Sequence, residues 1–400
     1  MKKSRMRWPR RRACCGVGLL ALFAGCATPV VQPPPPPTTK LATSPAAIPA
    51  QMFGNILVVE SKWDKYGPYH FLIDTGSSLT LVTPELAARY GTDEDYAGKS
   101  TPVRVRSTDG ATTLLTRTLL NRLDLGPARF GHVPALIYDC SPLSAQLGIK
   151  VDGVLGFSLF RDLLLTLDYP HNRVLLRPAA TGASLPGSAV PFNNTDKIPL
   201  IAVGIGDHLF ATLVDSGSND TLGLNPAGHD LPFAFGPTEG PTVGTLTGDR
   251  VEKVGRLAEN LTLGEYAVPQ PVVELSDQLP ALGGGILRYF TVSFDQERDR
   301  VIFYRDAAEP IAIPGIRQVG LSFDKTPVYW RVVGVIHGSP ADAAKVAVGD
   351  LVTRINDEPV RDWDSRRYEQ LLSRAQAIVF TFLNGTQARS VELKVRDLVP

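Results

Sequence analysis

Two segments of this chain nearly repeat one another. Phe71-Leu72-Ile73-Asp74-Thr75-Gly76-Ser77-Ser78 returns 141 residues later as Thr212-Leu213-Val214-Asp215-Ser216-Gly217-Ser218-Asn219. Each sets an aspartate after three strand-forming, mostly apolar residues and follows it with hydroxyl, glycine, hydroxyl. One carboxylate at a strand end constrains little. Two in matching settings can face each other across a symmetric cleft and hold one proton between them.

The repetition runs beyond the aspartates. Residues 55–60 and 70–74 read as strands, with 201–205 and 209–215 as their counterparts. Leu123-Asp124-Leu125-Gly126 answers to Leu261-Thr262-Leu263-Gly264. The closest match closes each half: a strand ending in Asp168 is followed by Asn172-Arg173-Val174-Leu175, and one ending in Asp295 by Asp299-Arg300-Val301-Ile302, with five residues from aspartate to arginine in both. Asp168 and Asp295 lie 127 residues apart, so the second copy has lost 14 residues of connecting loop. A repeat of this size points to a duplicated lobe.

Four hundred residues suggest two or three domains, with an apolar content normal for globular protein. The formal charge of +1 hides seven basic residues within the first twelve; the remainder carries 34 basic against 40 acidic side chains. With no basic stripe left, nothing calls for nucleic acid. The basic start leads into the short apolar run 13–26, too short for a stable membrane anchor and closed by small residues, so 1–25 read as a secretory signal peptide. Paired arginines before that run also fit a twin-arginine signal.

Cys14 and Cys15 leave with such a signal, which leaves Cys26 and Cys140. Cys140 has no histidine-bearing motif as a partner and reads as a buried small apolar residue. Residues 26–50 read as a proline-rich tether, because Pro33 to Pro37 are consecutive and favour extended polyproline II, reaching on the order of 70 Å.

These segments resemble known families. Leu22-Phe23-Ala24-Gly25-Cys26 resembles the lipobox of bacterial lipoproteins, with Phe23 an atypical residue at its place. The resemblance implies cleavage before Cys26, lipidation of its thiol, and a protein held at the outer membrane facing the periplasm, since Ala27 rather than aspartate follows. Residues 51–306 resemble the retropepsin-like aspartic proteases, in a tandem single-chain form similar to the two-lobed pepsins. In that family each lobe also carries an apolar-apolar-glycine segment beneath the aspartate loop. Val154-Leu155-Gly156 supplies the first, and Ala281-Leu282-Gly283-Gly284 a weaker second.

The resemblance implies a mainly β fold with lobes at 51–180 and 181–310, and Asp74 and Asp215 as the catalytic pair, with no metal or organic cofactor. It also implies that Thr75 and Ser216 bond across the lobe interface and that Ser77 and Ser218 orient the carboxylates. The chemistry fits those residue types: a peptide carbonyl needs a water made nucleophilic on one side and a proton delivered on the other. Gly76 and Gly217 let the backbone turn tightly at the cleft floor. Substrate-covering flaps are expected around Ser107-Thr108-Asp109-Gly110 and Thr245-Leu246-Thr247-Gly248-Asp249, neither of which holds the tyrosine typical of pepsin flaps. Considered alone, Asp109-Gly110, Asp152-Gly153 and Gly248-Asp249 are turn or loop chemistry, and Arg161, Arg173, Arg288 and Arg300 are structural surface pairs.

Residues 311–400 change style. Gly320-Leu321-Ser322-Phe323, then Gly338-Ser339-Pro340-Ala341-Asp342, then Val348-Gly349-Asp350-Leu351 resemble a PDZ domain of bacterial envelope proteases, an α+β module. The resemblance implies that the 320–323 loop receives the terminal carboxylate of a peptide ligand, which adds a strand beside it. Ser322 departs from the usual second glycine. Helices are expected near 339–347 and 364–375, and Arg317 stands either near the anion or on the surface. Two functional classes follow: an exported peptidase acting on polypeptides positioned by the last domain, or a non-catalytic cell-envelope scaffold that binds peptide.

Overall fold

The structure is a computed structural model, which describes residues 36–62, 64–92, 102–106, 112–179, 184–195, 197–245, 248–384 and 387–400. It is mainly β. The segments that read as repeated strands are strands: Ile56–Ser61 pairs with Tyr69–Asp74, and Leu200–Ile205 pairs with His208–Val214.

The closing segments of the two halves share one sheet. Leu163–Asp168 pairs with Arg173–Pro178, Thr291–Asp295 pairs with Arg300–Tyr304, and the two hairpins join antiparallel, with Thr166 opposite Ser293. The Thr166 and Ser293 hydroxyls bond each other at 2.8 Å, so two buried polar groups at the junction satisfy one another. The five-residue spacing from aspartate to arginine is the register of each hairpin. It puts Asp168 opposite Arg173 and Asp295 opposite Arg300, and the pairs close at 2.7 and 3.1 Å. Burial would raise the Asp168 carboxyl, but hydrogen bonds from His171, Arg173 and Thr291 hold it below the usual range.

One apolar core runs through both halves. Phe157 stacks edge-on against Phe192 and Phe294 at 6.1 and 5.4 Å, joining first-half and second-half side chains. Cys140 is fully buried, and burial pushes its thiol up to about 12, so it packs as a small apolar group.

Two expected boundaries move. The stretch 26–50 does not remain a tether to its end: Thr38–Leu41 pairs with Ala128–Ile137, and Ala46–Phe53 pairs with both Arg173–Pro178 and Ile56–Ser61. Ala46 and Ile48 are buried while Ala47 and Pro49 face outward, the alternation of a half-buried strand. Proline and alanine content reads as linker until such a face is covered. Cys26 and the leader lie outside the described residues.

The second shift is at residue 311. Ile311, Ile313 and Val399 pack into the main core, and Ile316–Gln318 pairs with Arg396–Val399. A separate core, from Val319 to Val395, gathers around Trp330, Phe323, Tyr368 and Phe380. The last domain therefore leaves the body and returns to it through one two-stranded strap. Its sheet runs Leu321–Lys325, Trp330–Val335, Leu351–Ile355, Ala377–Asn384, Gln387–Lys394. The expected helices are present, shorter, as Pro340–Ala343 capped by Ser339 and Ser365–Arg374 capped by Asp364. Arg317 is turned to its own chain: it donates to the Ser373 and Ala375 carbonyls at 2.7 and 2.9 Å, closing the C-terminal end of the second helix, and pairs with Asp397 at 3.4 Å.

Candidate active site

Both aspartates sit where a strand gives way to a turn, and in each half a second strand runs parallel beneath. Gly153–Gly156 pairs with 71–74, putting Gly156 beside Asp74. Ala281–Leu282 pairs with 213–214, and the Asp215 N–H donates to the Leu282 carbonyl at 3.0 Å. The two apolar-glycine segments thus play matching parts. The additional Gly284, by which the later segment departs from the earlier one, has its own cause: a β-carbon there would lie 2.1 Å from the Asn55 carbonyl oxygen of the first half.

The two turns are interlocked. Thr75 Oγ1 donates to the Val214 carbonyl at 2.6 Å and accepts from the Ser216 N–H at 3.0 Å. Ser216 Oγ donates to the Ile73 carbonyl at 2.7 Å and accepts from the Thr75 N–H at 3.0 Å. Both side chains are fully buried, so four backbone groups that would otherwise be orphaned are satisfied by the opposite half.

This lock brings the Asp74 and Asp215 carboxyls into hydrogen-bond contact. Gly76 and Gly217 allow the approach: a β-carbon at Gly76 would lie 2.5 Å from Asp215 Cγ, and one at Gly217 would lie 2.5 Å from Asp74 Cγ. Gly217→Ala is therefore expected to displace Asp74 and strain the junction of the halves, read by circular dichroism as a melting temperature several degrees below the parent's.

The Ser77 and Ser218 hydroxyls do not orient the carboxylates. Ser77 Oγ donates to the Leu79 carbonyl at 2.9 Å and Ser218 Oγ accepts from the Asp220 N–H at 3.2 Å. Each folds back onto its own turn. Backbone N–H groups do the orienting: Ser77 donates to Asp74 Oδ1 at 3.0 Å, and Gly217 to Asp215 Oδ1 at 2.8 Å.

Burial raises both carboxyls, and the two then part. Asp74 is driven well above the usual range by burial and then by the charge of Asp215. Asp215 is raised by burial but relieved by hydrogen bonds from the Gly217 N–H, from Asp74 and from the Ser218 N–H. The pair therefore holds one proton between its two carboxyls, since burial and the close approach oppose ionising both.

Some neighbours carry no sequence signal of their own. Asn219, which replaces Ser78 of the first turn, ties the halves together: its Oδ1 accepts from the Asn55 N–H and its carbonyl from Asn55 Nδ2, both at 2.7 Å. Arg288 Nη1 donates to Asn55 Oδ1 at 2.9 Å, so it braces the junction rather than joining a surface ion pair. Beside Asp215, burial pushes Asp220 up to about 6 and Glu252 up to about 8, while Glu274 is raised further by burial and these two neighbours. Segments far apart in the chain supply this acidic cluster, so no local spacing marks it.

Of the flap expectations, Asp109 and Gly110 fall outside the described residues, between the paired strands Val103–Arg106 and Thr112–Leu125. Phe233–Thr245 pairs with Gly248–Leu257 up to Thr245 opposite Gly248, and Thr247 lies outside the described residues. In the last domain Gly320 takes φ +92°, Leu321 and Phe323 turn into the core, and Ser322 Oγ accepts from the Thr242 N–H of the 233–245 strand at 2.9 Å.

Comparison with known proteins agrees with these two parts. Residues 59–159 match a model of the aspartyl protease family, and residues 331–380 a model of the PDZ domain. The chain thus carries an aspartyl protease domain and a PDZ domain. No curated protein matches it. Among solved structures, a PDZ domain protein from Parabacteroides distasonis is 22% identical over 21% of this chain and 20% of its own, with a TM-score of 0.19. Soybean Basic 7S globulin is 13% identical over 66% of this chain and 98% of its own, with a TM-score of 0.41. The chain spans about a fifth of the Parabacteroides protein.

Proposed function

We propose that this protein is a single-chain, two-lobed aspartic endopeptidase that hydrolyses peptide bonds with a water activated by Asp74 and Asp215. The observation that carries the reading is the reciprocal lock of Thr75 and Ser216, which presents two hydrogen-bonded carboxyls at the junction of two similar halves. Asp215, ionised, takes a proton from water as its oxygen attacks the carbonyl carbon. Asp74 gives its proton to the carbonyl oxygen. Collapse of the resulting diol returns a proton to Asp74, breaks the C–N bond and leaves the departing nitrogen protonated through Asp215. A peptide-binding scaffold would need no proton-sharing pair.

The test is cleavage of unfolded polypeptide by the purified chain and by Asp74→Asn and Asp215→Asn variants across pH. Cleavage by the parent alone is expected; equal cleavage by either variant sinks the assignment. The PDZ domain is the peptide-binding partner module of this enzyme. The signal and Cys26 make it an exported, lipid-anchored protein of the outer membrane, facing the periplasm. Mass spectrometry of the mature N-terminus is expected to find a diacylglyceryl-modified Cys26, and an unmodified N-terminus elsewhere would remove the anchor.

A further inference from the structure

The PDZ domain is engaged with its own chain. Leu321–Lys325 is the edge strand of its sheet, paired only with Trp330–Val335 among the described residues. The Ser365–Arg374 helix lies beside that edge, with Tyr368 against Phe323 at 5.8 Å. An edge strand flanked by a helix is a groove that accepts an added segment. Here the groove is spanned at one end by the first half of the body. The carbonyl of Gln146, in the last turn of the Ser141–Leu147 helix, accepts from Lys325 Nζ on the strand side at 2.6 Å and from Ser365 Oγ on the helix side at 2.8 Å. Gly148, at φ +74°, is packed so closely that a β-carbon would lie 3.2 Å from Asp364 Cα.

The other end of the edge strand holds the second half. Ser322 takes the Thr242 N–H, and the His337 N–H donates to Glu239 Oε1 at 3.1 Å, so two contacts fall on the 233–245 strand. A β-carbon at Gly334 would lie 2.1 Å from Thr242 Oγ1, which leaves no gap between them. The Ser141–Leu147 helix itself lies against the 233–245 strand, so the halves meet beneath the PDZ domain. Six residues beyond that helix begins Gly153–Gly156, the strand under Asp74. Burial pushes Lys325 down to about 8, partly offset by the charges of Glu369, Asp324 and Asp364.

We propose that the PDZ domain is a latch: one end of its groove holds the Gln146 carbonyl of one half, Ser322 on the other face of the same strand holds the Thr242 amide of the other, and the domain clamps the two halves, and with them the cleft, until the contact is released. The hinge is the strap Ile316–Gln318 with Arg396–Val399, which tethers the domain to the second half during release. This inference rests on the proteolytic reading for its consequence, though not for its geometry.

The test is hydrogen-exchange mass spectrometry on the full chain, with cleavage of unfolded casein measured in the same preparation. Lys325→Met combined with Ser365→Ala is expected to raise exchange at 144–152 and at 239–245 about tenfold or more. Exchange across Leu163–Asp168 and Arg173–Pro178 should stay at the parental level, which reports an intact body. Casein cleavage should rise about tenfold with it. Ser365→Ala alone removes one hydrogen bond and should give about a fivefold rise in exchange.

Unchanged exchange in both segments overturns the latch whether or not the protein cleaves. Raised exchange with unchanged cleavage in an active protein overturns the clamp on the cleft. Raised exchange with no cleavage by parent or variant supports the docking contact and sinks the proteolytic reading instead.

Discussion

Asp74→Asn and Asp215→Asn are each expected to lower kcat/KM for peptide cleavage about a thousandfold, because the proposed mechanism makes each one partner of a concerted general acid–base pair. The parent should give a bell-shaped pH profile. Its acid and alkaline limbs report the two macroscopic ionisations of the coupled Asp74–Asp215 pair. Burial and the neighbouring charge raise the Asp74 step well above the usual range, so the alkaline limb should lie far from an ordinary aspartate near ~3.9.

The same shift fixes the sign of a stability effect. A group whose pKa is raised in the folded state binds its proton more tightly there. Its favourable contribution is fully present below the unfolded value and is lost as pH rises through the folded one. Asp74→Asn removes that loss. At neutral and alkaline pH the inactive variant should melt a few degrees above the parent, with the difference vanishing in acid. A lower melting temperature at every pH would show that Asp74 is stabilised as an anion, contrary to the proton assignment.

Thr75→Val should cost about 3 to 4 kcal/mol, measured as a shift of the urea midpoint at unchanged slope. The threonine hydroxyl satisfies both the Val214 carbonyl and the Ser216 N–H inside a fully buried junction. Leaving each without a partner costs about 1–3 kcal/mol. The isosteric methyl fills the same volume, so no cavity adds to the sum. Thr75→Ser keeps the hydroxyl and should cost under about 1 kcal/mol, and Ser216→Ala should resemble the valine variant. Activity should fall in the same order, since this lock sets the distance between the carboxyls. Equal stability of Thr75→Val and Thr75→Ser would mean that water replaces the lost partner.

Local repetition made much of the site legible. Residues 71–78 and 212–219 carry their strand, turn and carboxylate in adjacent positions, and the aspartate-to-arginine spacing of five is a hairpin register that survives in the chain as a number. The roles of Ser77 and Ser218 were not legible. A hydroxyl two residues from an N–H can bond to its own turn or to a carboxylate, and only the folded turn selects between them. The end of the tether escaped for a related reason. Ala46 and Ile48 have an alternation too short to stand out among prolines and alanines until the 173–178 strand covers it.

The sequence alone determined that two equivalent aspartate turns exist and that a separate module follows them, because short-range patterns encode strands, turns and repeats. The tertiary structure decided that the two carboxyls meet and are both raised, through burial that only the joined halves create. It also decided that the last domain is seated across those halves. Gln146 and Ser365 stand 219 residues apart, and no local pattern records a contact that exists only because two separately folded surfaces meet.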